Sequence, residues 1–159
     1  MKLEIAQFVS IMLFALVTGV FWGTWFGLSR SISSITPATF LETGQQFIRN
    51  LAGPMSVLMP VTILSAVLVL WWLPRKRSPA FVLTASALLL MVLATVITVG
   101  VEVPIDNQIK VWTVQTLPSN WQAIRERWEW FHGLRTLVSI VSLALIVGAS
   151  LWARKEERV

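Results

Sequence analysis

Six polar or aromatic side chains recur at alternating steps of four and three residues in the last third of the chain. They are Trp121, Arg125, Trp128, His132, Arg135 and Ser139. Because an α-helix turns once every 3.6 residues, this spacing predicts that all six lie on one face of a helix. We call this predicted face the polar stripe.

His132 is the only histidine of the chain and the strongest candidate for chemistry on the stripe. A histidine can accept a proton near neutral pH, so it can act as a general base toward a substrate within hydrogen-bond reach. Trp128 lies four residues before it and Arg135 three residues after it, so the three share a face. The stripe predicts a general-base site, unless its charges serve only to hold the fold together.

The composition places this stripe in an integral membrane protein. Hydrophobic residues make up 55% of the 159 residues and charged residues only 13%, with a mean hydropathy of +0.71. A soluble domain carries about 25% charged residues. Apolar runs near the roughly 20 residues that cross a bilayer predict four spans, at about residues 5–29, 54–74, 78–101 and 133–153. The predicted fold is a single domain, an all-α bundle of four transmembrane helices.

Two segments outside the spans are predicted to form a cap, at about residues 36–52 and 104–132. Thr36 followed by Pro37 is typical of a helix start, and Gly53–Pro54 is expected to end that first short helix. Pro104 is expected to turn the chain out of the third span, because a proline disfavours helical geometry in the residue before it.

The second cap segment is expected to contain a short helix from Asn107 through Trp112. Ser119 or Asn120 is expected to cap the last helix, which we predict to run unbroken through Gly133 to about Ala153. A helix of that length is roughly 50 Å long at 1.5 Å per residue, so it must project beyond the bilayer.

Basic residues cluster beside the ends of the predicted spans. They are Lys2, Arg75, Lys76, Arg77, Arg154, Lys155 and Arg158. By the positive-inside rule both termini and the link between spans two and three face the cytoplasm, in what we expect to be a bacterial inner membrane. The net charge of +5 then indicates contact with anionic lipid, and no nucleic acid is expected as a partner.

Several functional classes are excluded or disfavoured. The chain has no cysteine, which excludes disulfides, thiolate catalysis and cysteine-ligated metal sites. No span carries an ionisable residue near its centre, so a channel or transporter has little support. One histidine without cysteine builds no familiar zinc or copper site. We expect no metal or cofactor, and haem bound through His132, or a metal shared with Glu102 and Asp106, is the less favoured alternative.

The segment from Val101 onward carries a family resemblance. The residues that match are Val103 to Asn107, Trp112, Asn120, Trp121, Arg125, Arg127, Trp128, His132, Leu134, Arg135 and Thr136. They resemble the pattern of the DUF1772 family, the anthrone oxygenase-like small membrane proteins. That pattern is an N-x-P-x-N turn, a tryptophan and a helix of the form W…R-x-R-W…H-x-x-R-T. Glu102 and Asp106 stand where that turn has asparagines.

The resemblance implies a four-span bundle and, as in the characterised fungal and biosynthetic members, oxygenation of a polycyclic anthrone to an anthraquinone. In such a reaction, loss of an acidic C–H proton leaves an electron-rich enolate that can react with O2 directly. It implies His132 as the base, with Arg135 or Arg125 stabilising the oxyanion. The residues expected to bind a flat, lipophilic substrate are Trp128, Trp121, Trp112, Asn107, Trp22, Trp25 and Glu102.

Two other interpretations stay open. Arg125 and Arg135 could simply form ion pairs that hold the cap on the bundle, because unpaired charges at a membrane edge are costly. Their candidate partners are Glu102, Asp106, Glu42 and Glu129. The protein could also be a non-enzymatic binder of a lipid or lipophile, or a partner subunit. Gly19, Gly23 and Gly27 support that view, since a face of small residues suits close helix contact, including contact in a homo-oligomer.

Overall fold

The structure, a computed structural model, describes residues 2–29, 36–73 and 78–156, which are helical apart from short connections and contain no β-strand. In chain order the elements are α1 (Lys2–Thr24), a π-helical turn (Trp25–Ser29), α2 (Pro37–Trp72), α3 (Pro79–Ile97), a second π-helical turn (Thr98–Glu102), α4 (Val103–Ile109) and α5 (Trp121–Glu156).

Four of the helical segments are long and apolar enough to cross a membrane. They are Lys2–Gly27, Pro37–Trp72, Pro79–Ile109 and Trp121–Arg154. The predicted fold class is therefore confirmed: this is an all-α, four-helix integral membrane protein.

The four long helices alternate in direction. The start of α1, the end of α2, the start of α3 and the end of α5 meet in one apolar cluster that includes Val69, Leu73, Ala80 and Ala153. The two ends of the described chain therefore lie at the same end of the bundle as the link between α2 and α3. Residues 74–77 of that link and Arg158, on which part of the predicted orientation depends, lie outside the described residues.

Small side chains and hydroxyl groups bring the helices together in the middle of the bundle. Ala87 and Ala94 of α3 have no exposed surface. Ser142 Oγ of α5 donates to the carbonyl oxygen of Ala87 at 2.6 Å, and Thr18 Oγ1 of α1 donates to the carbonyl oxygen of Ser139 at 3.2 Å. Such contacts suit helices in lipid, where packing and interhelical hydrogen bonds drive association.

The opposite end is closed by the first half of α2, by α4 and by the start of α5. We call it the cap end. Its apolar core comprises Phe40, Leu41, Ile48, Ile105 and Ile109, with Trp112, Trp121 and Trp128 packed around them. Gln45 Nε2 donates to the carbonyl oxygens of Ile109 and Trp112, both at 2.9 Å, and so ties α2 to the connection between α4 and α5.

α2 is continuous where a break was predicted. Thr36 is its N-cap, as expected, because its hydroxyl oxygen accepts a hydrogen bond from the backbone N–H of Thr39. Pro54 and Pro60 both lie inside the helix, so the predicted first short helix is the N-terminal half of α2, and the break at Gly53–Pro54 is wrong. A proline removes only its own N–H, and a membrane interior offers the remaining backbone groups no partner outside the helix.

Pro104 does not turn the chain out of the helix either. The backbone N–H of Val103 donates to the carbonyl oxygen of Thr98, five residues earlier, which defines the π-helical turn. Pro104 then stands in the first turn of α4, where its missing N–H costs nothing. α4 begins four residues before the predicted Asn107 for this reason, and it ends at Ile109, before the predicted Trp112. The unbroken last helix is confirmed as α5.

Gly19 and Gly23 of α1 do not pack on another helix among the described residues. A Cβ atom built at Gly19 or Gly23 would meet nothing within 4 Å in the described structure. The expectation of a close helix contact is therefore not met inside the bundle. A contact with a second copy of the chain stays a prediction.

Candidate active site at the cap end

A cavity of about 430 Å³ lies among the helices at the cap end. Most of its wall is apolar, with Phe21, Ile48, Leu51, Met55, Met59 and Val99 among the lining residues. Polar side chains also line it, among them Thr24, Ser56, Thr95, Thr98, Asp106, Lys110, Trp128, His132 and Arg135. Small-molecule sites usually have this volume and this combination of apolar wall and few polar groups.

The mouth of the cavity lies between α2 and the segment formed by α3 and α4. The lining residues that are exposed are Phe47, Ala52, Ser56, Pro60, Val99, Val103 and Lys110. Next to them, Val57 is 64% exposed and Val96 is 60% exposed. Apart from Ser56 and Lys110, the exposed residues at the mouth are apolar.

An ion pair between Arg135 and Glu102 is buried beside the cavity. Glu102 is fully buried, and its Oε2 lies 2.9 Å from Arg135 Nη2. Arg135 Nη1 donates to Thr98 Oγ1 at 3.0 Å, and the guanidinium lies 4.4 Å from the centre of the Phe21 ring. Oε1 of Glu102 has no hydrogen-bond partner among the described residues, so Arg135 is the group that compensates this buried carboxylate.

Both ring nitrogens of the buried His132 are engaged. Arg135 reaches Nδ1 through Nε at 3.0 Å and through Nη2 at 2.6 Å. Because an arginine donates and cannot accept, Nδ1 is the acceptor and the proton of the neutral ring is on Nε2. Nε2 lies 2.9 Å from Thr24 Oγ1, which in turn donates to the carbonyl oxygen of Val20 at 2.8 Å. Glu102 Oε2 is farther from Nδ1, at 3.5 Å.

Trp128 connects this cluster to α4. Its ring is stacked on the His132 ring with 4.9 Å between centroids and 6° between planes. Its indole N–H donates to Asp106 Oδ1 at 3.1 Å. One connected set of contacts therefore runs from Asp106 through Trp128 and His132 to Arg135.

Three of the predicted residues on α5 and α4 lie in the cap rather than in the cavity wall. Arg125 Nε is 3.3 Å from Glu129 Oε1, and the guanidinium lies 5.3 Å from the centre of the Trp121 ring. Trp121 packs in the apolar core of the cap. Asn107 is exposed and accepts a hydrogen bond from Lys110 Nζ at 3.1 Å. Arg125 and Trp121 do not line the cavity, because this part of α5 packs on the apolar core of the cap.

The remaining predicted tryptophans also lie outside the cavity. Trp112 belongs to the cap. Trp22 is 45% exposed and stacks on Phe26, with 5.4 Å between ring centroids. Trp25 packs against the backbone of Gly133. Of the ten predicted site residues, Trp128, His132 and Arg135 line the cavity and Glu102 supports Arg135; their chemical roles stay predictions.

Asp106, Thr24 and Thr98 line the cavity but were not among the predicted site residues. Both threonines look like ordinary span residues in the sequence, and only their contacts with His132 and Arg135 distinguish them. Asp106 is the only aspartate of the chain, which could have indicated a functional residue. Its position between Pro104 and Asn107 is instead typical of a turn. Both stripe arginines pair with glutamates, Arg135 with Glu102 and Arg125 with Glu129. Only the Arg135–Glu102 pair joins two elements, because Arg125 and Glu129 lie one turn apart on α5.

No group of three or more histidine, cysteine, aspartate or glutamate side chains within residues 2–29, 36–73 and 78–156 is arranged to hold a metal ion. The shared site of His132, Glu102 and Asp106, considered above as an alternative, is therefore not formed by the described side chains.

Trp25 approaches Gly133 closely, so we expect Gly133→Val to destabilise the protein. A Cβ atom there would lie 3.0 Å from Trp25 Nε1 and 3.6 Å from Trp25 Cε2. Overpacking of this kind costs about 1–3 kcal/mol, measured as a lower melting temperature in detergent. Gly19→Val is the matched control, because a Cβ atom at Gly19 would have no neighbour within 4 Å among the described residues. Equal losses in the two variants would contradict the packing described.

The family model described as anthrone oxygenase matches residues 49–145. The match spans most of α2, all of α3 and α4 and most of α5, and it includes Glu102, Asp106, Trp128, His132 and Arg135. No curated protein and no solved structure matches the chain. Because the family model covers more than half of the chain, this protein belongs to the anthrone oxygenase family, DUF1772.

Proposed function

We propose that this protein is an oxygenase that oxidises a flat, lipophilic C–H acid, such as an anthrone, in the cap-end cavity. The observation that carries the proposal is the buried guanidinium of Arg135 in the wall of a largely apolar cavity. An apolar cavity suits a polycyclic substrate. A fixed cation in a site of low dielectric constant stabilises an enolate far better than water-exposed charge does.

The reaction consumes one O2 and releases one water for each anthrone. Loss of a methylene proton gives the enolate, which passes one electron to O2, and the resulting radical combines with superoxide to form a carbon–oxygen bond. Protonation gives the hydroperoxide. Removal of the second methylene proton breaks the O–O bond, leaves the new carbonyl group and releases the distal oxygen as water. All electrons come from the substrate, so the protein has to bind it, orient it and move protons.

In this proposal Arg135 faces the substrate oxygen on which the negative charge develops. His132 accepts N–H groups of Arg135 and is itself held by Thr24, so it orients the guanidinium. The general-base role expected for His132 would require Arg135 to leave Nδ1. Arg125 is paired with Glu129 in the cap, so we assign it to the fold and not to the reaction.

The proposal also includes how the substrate enters the cavity and which side of the membrane the cap end faces. The exposed apolar side chains at the mouth suit contact with hydrocarbon, so a lipophilic substrate would enter from the bilayer between α2 and α3. By the positive-inside rule the cap end lies on the non-cytoplasmic side of a bacterial inner membrane. Arg154, at the opposite end of α5, is one of the residues that support this orientation.

The test uses the purified protein in lipid nanodiscs with anthrone as the probe. We expect oxygen consumption and anthraquinone formation in equal amounts, with one atom from 18O2 in each product molecule. Empty nanodiscs measure the spontaneous oxidation of anthrone, and a rate no higher than theirs would contradict the proposal. An absorbance spectrum of the same sample tests the expectation of no haem, which a Soret band would overturn.

The second candidate is a non-enzymatic protein that binds a lipophile or serves as a partner subunit. The observation that favours it is the pairing of both stripe arginines with glutamates, which accounts for these charges without chemistry. In the same experiment this alternative predicts that anthrone or a co-purified lipophile binds while no oxygen is consumed.

Closing the mouth should impair turnover, so we expect Ser56→Trp to lower kcat/KM for anthrone. Ser56 lines the cavity at its mouth, whereas its neighbour Val57 points outward and does not line it. Losing about 1.4 kcal/mol of apolar contact energy already lowers binding about tenfold, and an indole across the mouth should cost at least that much. Val57→Trp is the control, and equal effects of the two variants would place the entrance elsewhere.

A further inference from the structure

The proposed reaction needs a proton acceptor that faces the cavity, and the geometry of the site restricts the choice. His132 lines the cavity, but Arg135 donates to its Nδ1 and its Nε2 carries a proton directed at Thr24. It has no free lone pair in this arrangement. Glu102 is a carboxylate, but it is fully buried, is paired with Arg135 and does not line the cavity.

Asp106 is the carboxylate that does line the cavity. It lies on α4, on the same wall as Trp128 and His132. The one hydrogen bond that reaches its side chain from the described residues comes from the Trp128 indole N–H to Oδ1. Lys110, one turn later on the wall, directs its ammonium group to Asn107. The Trp128 bond fixes the orientation of the carboxylate and leaves the second oxygen for a ligand.

We infer that Asp106 is the general base that removes the methylene proton of the substrate. This inference rests on the proposed function and deepens it. Asp106 and Arg135 are held in one wall through Trp128 and His132. A substrate whose carbonyl oxygen faces Arg135 therefore lies against the side of the cavity that also carries Asp106.

Asp106 alone can accept and release both methylene protons of the substrate. When the C–H bond breaks, its electron pair stays on carbon and spreads to the carbonyl oxygen beside Arg135, while the proton moves to Asp106. Asp106 then passes that proton to the peroxide. It accepts the second methylene proton as the O–O bond breaks and gives it to the departing hydroxide, which leaves as water. Asp106 ends the cycle as a carboxylate, ready for the next substrate.

Asp106 also stands where the resembling family pattern has an asparagine. Asp106→Asn is therefore a doubly informative variant. It keeps an oxygen that can accept the Trp128 N–H, it removes the basicity, and it introduces the residue of the family pattern. A glutamate exposed on the same end of the bundle, Glu126, offers the matched acid-to-amide control, Glu126→Gln.

The test separates proton removal from oxidation. Protein in nanodiscs is mixed with anthrone in D2O without oxygen, and deuterium uptake at the methylene carbon is followed by mass spectrometry against empty nanodiscs. General acid–base catalysis contributes roughly 10²–10⁴-fold, so we expect Asp106→Asn to lose about 100-fold or more of the protein-dependent exchange, and Glu126→Gln to keep it. Oxygen consumption is measured separately in air.

The two readouts keep the two proposals distinct. Exchange without oxygen consumption would overturn the oxygenase and leave Asp106 in place. Oxidation by the wild type together with unchanged exchange in Asp106→Asn would overturn Asp106 as the base and leave the oxygenase in place. Wild-type protein that exchanges no deuterium into anthrone also overturns the assignment of Asp106.

A second variant covers the case in which Asp106→Asn does not fold. Asp106→Ala opens space beside Trp128, and added formate can occupy it as a small carboxylate. We expect formate to restore exchange in Asp106→Ala and to have no effect on the wild type. A residue with a purely structural role would show no such rescue, and its absence in a folded Asp106→Ala protein would overturn the inference.

Discussion

Arg135→Met is expected to lower the stability of this protein more than any other single substitution of a stripe residue. It removes the cation that compensates Glu102, a carboxylate with no exposed surface. Removing one partner of a buried pair costs about 3–5 kcal/mol, because the other charge stays buried without compensation. Methionine keeps the length and apolar volume of the side chain, so packing against Phe21 is largely retained. Thermal unfolding in detergent, followed by circular dichroism, measures the effect.

A double variant identifies the cause of that loss. In Arg135→Met combined with Glu102→Gln no buried charge is left, so we expect most of the lost stability to return while turnover stays abolished. Arg125→Met is the control, because the Arg125–Glu129 pair is partly exposed and such pairs contribute about 0–1 kcal/mol. A loss in Arg125→Met as large as that in Arg135→Met, or a double variant as unstable as the single one, would contradict this account.

The second large effect concerns turnover, and we expect it for Arg135→Lys. Arg135 donates to His132 Nδ1 through two of its nitrogen atoms and to Thr98 Oγ1 through the third, and it lies against Glu102. A lysine keeps the charge, but its compact ammonium group cannot reach all three partners from one position. Losing one oriented donor to an oxyanion costs about 10²–10³-fold in kcat, so the variant should lose about that much activity.

The stability of Arg135→Lys should fall less than that of Arg135→Met, because Glu102 keeps a nearby cation. Arg127→Lys serves as the control, since Arg127 is exposed and lies 5.9 Å from the centre of the Phe131 ring. If Arg135→Lys turned over anthrone at the wild-type rate, charge alone would suffice and the fork of hydrogen bonds would have no part in the reaction.

The number and order of the spanning helices could be predicted from the sequence, but the residues at which the helices begin and end could not. Apolar runs near twenty residues have one stable arrangement in lipid, a helix, because every backbone group must find its partner inside the segment. The same constraint explains why the predictions at Pro54 and Pro104 were wrong. In the bundle, α2 continues through Pro54, and a π-helical turn accommodates Pro104.

That Trp128, His132 and Arg135 share one helix face could be read from their spacing, because helical periodicity is a local property of the backbone. Which members of the stripe line the cavity depends on the packing of the helices. Arg125 lies on the same face, yet it finds Glu129 in the cap, while Thr24 from α1 contacts His132 across a separation of 108 residues. Asp106 joins through Trp128. Such contacts depend on how separate helices pack, which no local spacing encodes, and it is packing that turned a stripe on one helix into a cavity with a cation and a carboxylate in one wall.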